Sequence, residues 1–217
     1  MKSKYAILCS SRSGSTHLCD LLRSTKRAGD PQEFFNRSLN FNHLLKGKGF
    51  VDGIVNGTKT ENDVFGAKLV GLDQLSDYAD STLEFTHCIY LKRRDVVAQS
   101  VSRYKSWKTG VWHLNDKHKK IPKAHYCFDG IKWCYDAILE ESKIFESILS
   151  EAPYLEVCYE DDLINNPEQT IYCILEHMNI STKELPLLNS GQKKASDKDS
   201  VEWAQMFASE IGLEDRG

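Results

Sequence analysis

Residues 5–18 read YAILCSSRSGSTHL, an apolar run followed by a loop of small polar residues and the start of a helical pattern. The run Tyr5–Cys9 is too short for the core of a signal peptide, and it predicts a buried strand. Three leucines recur at helical spacing between Ser15 and Thr25, which predicts an amphipathic helix. A strand, a tight loop and a helix in this order are typical of the first unit of an α/β fold.

The rest of the chain also alternates short apolar runs with longer helical patterns. Further strands are predicted at Phe65–Val70, His87–Leu91 and Tyr154–Cys158, and helices at Val96–Lys108, Phe128–Leu149, Pro167–Met178 and Ser200–Ile211. The alternation predicts a central parallel sheet flanked by helices, in a single domain over residues 1–217.

Two weakly patterned segments, Arg37–Asn62 and Thr109–His125, are expected to be mostly loop. They either shape the mouth of a substrate site or are plain solvated loops.

Charge and composition exclude several classes of protein. The net charge of −3 and a pI near 6.2 provide no overall field for nucleic acid. No run of eighteen apolar residues occurs, so no transmembrane segment is expected. Seven cysteines without a CxxC pair are typical of reduced, buried thiols in a cytoplasmic protein, and no metal-ligand spacing is met.

The loop Ser10–Thr16 has the composition of an anion-binding turn. Small residues let the backbone close around an anion, and the N–H groups at a helix start point towards it. Arg12 adds a positive charge, and Gly14 permits positive φ. The loop has neither a glycine at its start nor a lysine after Gly14, which argues against a nucleoside-triphosphatase P-loop. From these residues alone, an ordinary polar helix cap is the alternative.

A second cationic segment, Lys92–Ser102, follows the third predicted strand. Adjacent arginines at a strand end are costly unless they are paired or bind an anion. Ser102 follows Arg94 by eight residues, about two helical turns, so the two side chains are predicted to grip a second phosphate. The alternative is a surface ion pair between Arg94 and Asp95.

These segments resemble the sulfotransferases, and most of all the trehalose 2-sulfotransferase family. Ser11–Thr16 is similar to the PKSGTT loop of sulfotransferases, with arginine in place of lysine. Arg27–Phe35, RAGDPQEFF, matches the RAG-x-P-x-E-[FY]-F segment of the family. Arg93–Ser102 matches RRD-x-x-AQ-[AS]-VS, and Thr109–Trp112 matches TG-x-W. Weaker similarity continues at Phe65–Lys68, Tyr159–Asp161 and Gln192–Ala195.

The resemblance implies a P-loop NTPase-like sulfotransferase fold that binds 3′-phosphoadenosine 5′-phosphosulfate (PAPS) as co-substrate. It implies that the first loop holds the 5′-phosphate, that the Arg94 and Ser102 pair holds the 3′-phosphate, and that Glu33 is the base. It also implies a homodimer. The residues expected to bind the donor are Ser11, Arg12, Ser13, Gly14, Ser15, Thr16, Arg94 and Ser102.

A mechanism follows as a hypothesis. Arg12 is placed at the leaving phosphate oxygen, and Glu33 takes the proton of an acceptor hydroxyl. Glu33 is otherwise a helix-start charge after Pro31. Lys68 either polarises the sulfuryl group or snorkels from a strand end. Either member of the pair Lys193–Lys194 closes over the donor, or both are simply solvated.

The acceptor is expected to be a carbohydrate, a glycolipid or another small hydroxyl compound, and no metal is expected. Two other functions stay open from the sequence. One is a small-molecule kinase-like P-loop enzyme, which the missing glycine and lysine disfavour. The other is a non-catalytic module that binds 3′-phosphoadenosine 5′-phosphate (PAP).

Overall fold

A computed structural model describes residues 3–36, 48–79, 83–112, 122–151, 153–189 and 197–213, with 48–51 as backbone only. The chain divides into two compact units. The first unit is Met1–Arg94 with Ile144–Gln192, and the second is Asp95–Lys143 with Lys193–Gly217. The expectation of a single domain stays a prediction.

Four parallel strands in the first unit form one sheet. The strands are β1 Ser3–Cys9, β2 Val64–Val70, β3 His87–Lys92 and β4 Leu155–Cys158, and their order across the sheet is β2-β1-β3-β4. Seven α-helices and one π-helical turn accompany them among the described residues. In chain order they are α1 Ser15–Ser24, α2 Lys48–Thr58, α3 Gly71–Ala79, α4 Val96–Thr109, α5 Phe128–Leu149, the π-turn Tyr159–Ile164, α6 Pro167–His177 and α7 Lys198–Glu210. The predicted parallel sheet with flanking helices is therefore confirmed.

The strand order creates a switch point beside β1. From β1 the chain moves to one side to form β2, and it then crosses to the other side to form β3. Ligands of open parallel sheets bind where the connections diverge in this way, outside the carboxyl ends of the strands. Cys9 is in register with Val70 and Leu91, so the loops after β1 and β3 start side by side.

Two buried clusters cover the two faces of the sheet, because successive strand residues point to opposite sides. Tyr5, Ile7 and Cys9 belong to the cluster that includes residues of α1 and α6. Ala6 and Leu8 belong to the other cluster. The aromatic members of this second cluster are Phe34, Phe35, Phe65, Tyr90 and Phe145. The sheet is thus buried on both faces, as a parallel sheet requires.

The second unit contains α4, α7 and the part of α5 that ends at Lys143. Its core consists of Val101, Tyr104, Ile131, Cys134, Trp203 and Phe207. Asp95 caps α4 by accepting a hydrogen bond from the Ala98 N–H (2.8 Å). Asp197 caps α7 through the Ser200 N–H (2.8 Å) and also accepts a hydrogen bond from Lys105 Nζ (2.7 Å).

The expectation that Arg37–Asn62 is mostly loop is wrong for its second half, where α2 runs from Lys48 to Thr58. Glycine lowers helix propensity, but Gly53 and Gly57 lie on open sides of the helix, and Val55 is buried. Packing of an apolar face therefore outweighs the glycine cost.

Several other features bear on the sequence-based expectations. All seven cysteines are free, but the expectation that they are buried holds only for Cys9, Cys19 and Cys134, since Cys88 and Cys158 are half-buried and Cys127 and Cys173 are exposed. Residues 37–47 and 113–121, with Lys193 and Lys194, lie outside the described residues. In the part of the chain that is described, no helix combines the length and apolar character needed to cross a bilayer.

Candidate active site

The loop after β1 leaves the start of α1 open towards its N-terminal side. Arg12 and Gly14 both have left-handed backbones, with φ of 63° and 91°. Gly14 occupies the N-cap position of α1 and, having no side chain, provides no cap hydrogen bond to the helix. The first N–H groups of a helix need an external acceptor. A helix start with glycine at the N-cap, directly after a strand and a tight loop, is therefore suited to bind an anion.

Buried hydroxyls line the same loop. Ser10, Ser13 and Ser15 are all buried. The Ser13 Oγ makes no hydrogen bond of good geometry with any described residue, although the Cys9 thiol lies close to it. A buried hydroxyl without a good partner costs free energy unless a ligand or water completes it. This orphaned hydroxyl and the open helix start both fit a phosphate group.

The ring of Tyr159, at the start of the π-turn, lies directly against Gly14. A Cβ atom built on Gly14 would be 2.1 Å from Tyr159 Cδ2, so no larger residue fits there. The Arg93 guanidinium also stacks over the Tyr159 ring, with its Cζ 5.1 Å from the ring centroid. Tyr159 therefore connects the loop after β1 with the segment after β3.

Arg93 is held by a carboxylate and by the first loop. Its Nε donates to Glu160 Oε1 (3.1 Å), and its Nη1 donates to the carbonyl of Arg12 (3.4 Å). Burial lowers the pKa of Arg12, and the charge of Arg93 lowers it further. Two guanidinium groups that raise each other's energy in a partly buried place favour an anion between or beside them.

Arg94 pairs with Asp161 and not with Asp95. The Arg94 Nη1 donates to both carboxylate oxygens of Asp161 (2.7 and 2.8 Å), and the Arg94 N–H donates to Glu160 Oε2 (2.9 Å). Asp95 instead caps α4, so the alternative of an Arg94–Asp95 surface pair is wrong. The Arg94 side chain remains 67% exposed. The other predicted member of the phosphate grip, Ser102, lies half-buried on α4 in the second unit.

Glu33 reaches Lys68 because the segment after α1 runs alongside β2. Gln32 forms an isolated parallel bridge with Ala67, and the Lys68 N–H donates to the Gln32 carbonyl (2.9 Å). The next residue, Glu33, then places Oε1 2.8 Å from Lys68 Nζ. The side chain of Lys68 is only 7% exposed, so it is a buried ion-pair partner and does not snorkel to solvent.

Two amides hold the other carboxylate oxygen of Glu33. The Nδ2 of Asn36 (2.7 Å) and the Nε2 of Gln74 (3.1 Å) both donate to Oε2. Burial by itself would raise the pKa of Glu33, but the charge of Lys68 and the hydrogen bonds from Lys68, Asn36 and Gln74 outweigh it. The pKa of Glu33 therefore lies below its ordinary value, and the carboxylate is ionised at neutral pH.

The Cys9 thiol, at the end of β1, lies near both the Glu33–Lys68 pair and the hydroxyls of the first loop. Burial raises the pKa of Cys9, while the charges of Lys68 and Glu33 and the hydroxyls of Ser13 and Ser15 all act on it. The structure thus brings Glu33 and the first loop to the same carboxyl edge of the sheet, which is the arrangement that a transfer reaction requires.

Sequence reasoning gave no role to Arg93, Tyr159, Glu160 or Gln74. The sequence did contain one signal for Arg93, Tyr159 and Glu160, which is their position after predicted strands. The arginines follow β3 and the Tyr159–Asp161 segment follows β4, and these neighbouring parallel strands end at one edge of the sheet. Gln74 had no such signal, since it lies on α3, a helix that the apolar pattern did not predict.

Known proteins share this architecture. The sulfotransferase domain of the Synechococcus PCC 7002 olefin synthase superposes with a TM-score of 0.53 at 12% identity, over 94% of each chain. The sulfotransferase of Alicyclobacillus acidocaldarius gives a TM-score of 0.56 at 14% identity, over 96% of this chain and 92% of that chain. At these identities the likeness shows the fold, and the predicted P-loop NTPase-like sulfotransferase fold is confirmed.

Sequence comparison identifies the family. The trehalose 2-sulfotransferase of Mycolicibacterium smegmatis (strain ATCC 700084 / mc(2)155) is 29% identical over 169 residues, which is 56% of this chain. The match spans only 63% of that relative's length. The family model for the Stf0 sulphotransferase matches residues 4–210, nearly the whole chain. The chain therefore belongs to the Stf0 sulphotransferase family.

Proposed function

We propose that this protein transfers a sulfuryl group from PAPS to a hydroxyl group of a small acceptor. The observation that carries the proposal is the start of α1, where the N-cap residue Gly14 packs against Tyr159 and is flanked by Arg12 and Arg93. Membership of the Stf0 sulphotransferase family supports the same reaction. A helix start with neighbouring guanidinium groups suits a nucleotide phosphate, which is the leaving group of this donor.

The donor's two phosphates are assigned to different segments. Ser11–Thr16 binds the 5′-phosphate through backbone N–H groups, hydroxyls and the Arg12 guanidinium. Arg94 and Ser102 bind the 3′-phosphate. Because the bonds to Asp161 use only Nη1 of Arg94, the remaining N–H donors of this guanidinium can still reach a ligand.

Transfer proceeds by direct displacement at sulfur. The acceptor oxygen forms a bond to sulfur while its proton passes to the carboxylate of Glu33. The bond between sulfur and the 5′-phosphate oxygen breaks, and its electron pair stays with the phosphate. Arg12 and the loop N–H groups stabilise the charge that develops on that oxygen. Because the pKa of Glu33 is lowered, the base is already ionised at neutral pH.

A sugar or glycolipid hydroxyl is the acceptor class that we propose. The support is the name of the mycobacterial relative, a trehalose 2-sulfotransferase. That relative is matched over part of its length, so trehalose itself is only one compound in the panel to be tested. A homodimer and a cytoplasmic location, suggested by the family resemblance and the seven free cysteines, belong to the same proposal.

A thermal-shift panel tests donor binding first. A ligand that binds only the folded state raises the melting temperature. We expect a shift with PAP, a smaller one with AMP, and none with ATP and Mg²⁺. A shift with ATP and Mg²⁺ alone would instead favour a kinase-like enzyme.

Turnover is the second step. Transfer of labelled sulfate from PAPS to a panel of sugars and glycolipids, followed by chromatography of the products, is expected to give a labelled acceptor. Binding of PAP with no transfer to any acceptor in the panel, and no slow hydrolysis of PAPS, would favour a non-catalytic binding module.

A further inference from the structure

The Glu33 carboxylate is oriented by groups from three separate parts of the first unit. Lys68 on β2 binds Oε1, while Gln74 on α3 and Asn36, in the turn that follows Glu33, bind Oε2. The side chain of Glu33 is 16% exposed, so it still has access to a substrate. Oε2 accepts two hydrogen bonds, and Oε1 has one partner among the residues that the structure describes.

Gln74 has an amide that can point in only one direction. Its Oε1 accepts a hydrogen bond from the N–H of Val70, the last residue of β2 (3.1 Å). The Nε2 must then face the other way, and it donates to Glu33 Oε2 (3.1 Å). The side chain is buried, with only 7% of the residue exposed, so both halves of the amide have their partners inside the protein.

The junction between β2 and α3 explains how this amide comes to lie there. Gly71 has a left-handed backbone, with φ of 73°, and α3 begins at this residue. The sharp turn brings the first turn of α3 back over the end of β2. Gln74 therefore lies one helical turn from the strand whose N–H it binds, and it is fixed by backbone rather than by mobile side chains.

We propose that Gln74 is a positioning residue that turns the Glu33 carboxylate so that the unused lone pair of Oε1 faces the acceptor hydroxyl. This inference rests on the proposed function, because it concerns the base of that reaction. Lys68 has a different task, which is to supply the positive charge that keeps the buried carboxylate ionised. A hydrogen bond supplies orientation and a point charge does not, so the two residues are not interchangeable.

The charges that act on this carboxylate come from several elements. Lys68 faces it from β2, and the amides of Asn36 and Gln74 contact it. The thiols of Cys9 on β1 and Cys19 on α1 lie near Lys68, and both are neutral because burial raises their pKa. Removal of the Gln74 amide therefore removes its hydrogen bonds to Glu33 and to the Val70 N–H without changing the charges around the carboxylate.

The test uses Gln74→Met, which keeps the length and volume of the side chain, with Gln74→Leu as a second variant in case methionine packs badly. We expect kcat to fall about 10–100-fold, because small errors in the orientation of a base are costly. The KM for PAPS and the thermal shift with PAP stay unchanged. Gln169→Met, which removes an exposed amide on α6, is the control and keeps full activity.

A second readout does not depend on turnover. In protein labelled with ¹³C-glutamate, the Glu33 carboxyl signal is assigned by its loss in Glu33→Gln, and its titration is followed by NMR. We expect the pKa of Glu33 to rise in both Gln74 variants, because a hydrogen bond to the charged form is lost. An unchanged titration curve in folded Gln74 variants overturns the proposal, whether or not the wild type transfers sulfate. If the wild type fails to bind PAP or to transfer sulfate while the titration moves, the proposed function is wrong and the contact to Glu33 stands.

An unchanged kcat in an active wild-type background would also contradict the positioning role, and it would leave the sulfotransferase assignment intact. A loss of kcat together with loss of the thermal shift with PAP would mean that Gln74 supports the whole site and has no specific effect on Glu33.

Discussion

Gly14 and Tyr159 are in such close contact that a single added methyl group at Gly14 would overlap the tyrosine ring, 2.1 Å from its Cδ2 atom. Gly14 also has φ of 91°, where side chains are strained. We expect Gly14→Ala to lower the free energy of unfolding by about 2–4 kcal/mol, which combines the backbone penalty with overpacking. PAP affinity, measured by calorimetry, falls at least about tenfold because the loop must move.

Gly212→Ala separates the backbone penalty from overpacking, since Gly212 has φ of 72° but no atom of the described residues within 4 Å of an added Cβ. It should show the backbone penalty alone and keep normal PAP binding. Equal losses of stability in the two variants would show that overlap of the added methyl group with Tyr159 does not lower the free energy of unfolding further.

Glu33→Gln is expected to lower kcat about 10²–10⁴-fold, since the amide cannot accept the proton. PAP binding should be retained. Lys68 loses its counter-charge, so the free energy of unfolding also falls, by about 3 kcal/mol. Steady-state kinetics with labelled PAPS and urea unfolding measure the two effects. Glu61→Gln, at an exposed glutamate, is the control. Full turnover in Glu33→Gln with normal donor binding would remove Glu33 from the mechanism.

Lys68→Met is expected to change how stability depends on pH. In the wild type the pKa of Glu33 is lowered on folding, so its contribution to stability is present above about pH 4.3, the ordinary pKa, and is lost as the pH falls through the folded value. Without Lys68, burial raises the pKa of Glu33, and the variant gains stability relative to the wild type as the pH falls. Urea unfolding between about pH 3 and pH 7 measures the difference.

The pKa of Lys68 is raised, so its own titration lies above this range and does not interfere. The control is Lys132→Met, because Lys132 forms a solvent-exposed pair with Asp136 (2.6 Å). If the free energies of unfolding of the wild type and Lys68→Met changed in parallel with pH, the ion pair between Glu33 and Lys68 would be contradicted.

Arg94→Ala is expected to weaken PAP binding about 10–100-fold, while AMP, which has no 3′-phosphate, binds as before. Asp161→Asn frees the Arg94 guanidinium from its pair, and we expect PAP to bind at least as tightly as in the wild type. Calorimetry with both nucleotides gives the comparison. Arg27→Ala removes a guanidinium that contacts the Ser181 carbonyl and serves as the control. An equal loss of PAP and AMP affinity in Arg94→Ala would exclude a specific role at the 3′-phosphate.

In the second unit, Asp197→Asn is expected to make the free energy of unfolding change less with pH in the acid range. Burial acts to raise the pKa of Asp197, but the hydrogen bond from Lys105 and the contacts with Ser200 lower it to about 2. Its stabilisation is therefore complete above about pH 4 and is lost as the pH falls towards 2. At neutral pH the cost is below about 1 kcal/mol, because the group is more than half exposed and asparagine also caps helices. Asp199→Asn, in the first turn of the same helix, should leave the loss of stability at acid pH unchanged.

Much of the fold could be predicted because the strands are apolar and short, and α5 was predicted with its observed bounds, Phe128–Leu149. The helix α2 could not be predicted, because Gly53 and Gly57 lower its helix propensity. Its apolar face becomes evident only from the packing of Val55 in the folded protein. In the site, the loop around Gly14 was recognisable from its composition. The Glu33–Lys68 pair was not, because it depends on Gln32 bridging to Ala67, a pairing that no local pattern encodes.

The interior position of β1 also has a consequence for synthesis on the ribosome. Ser3–Cys9 pairs with β2 and β3, whose last residue is Lys92, so the first strand emerges long before its partners. At about 5–20 residues per second, this apolar segment spends on the order of ten seconds without partners. During that interval we expect its apolar side chains to be accessible to chaperones, and closure of the sheet around it is expected to limit the folding rate.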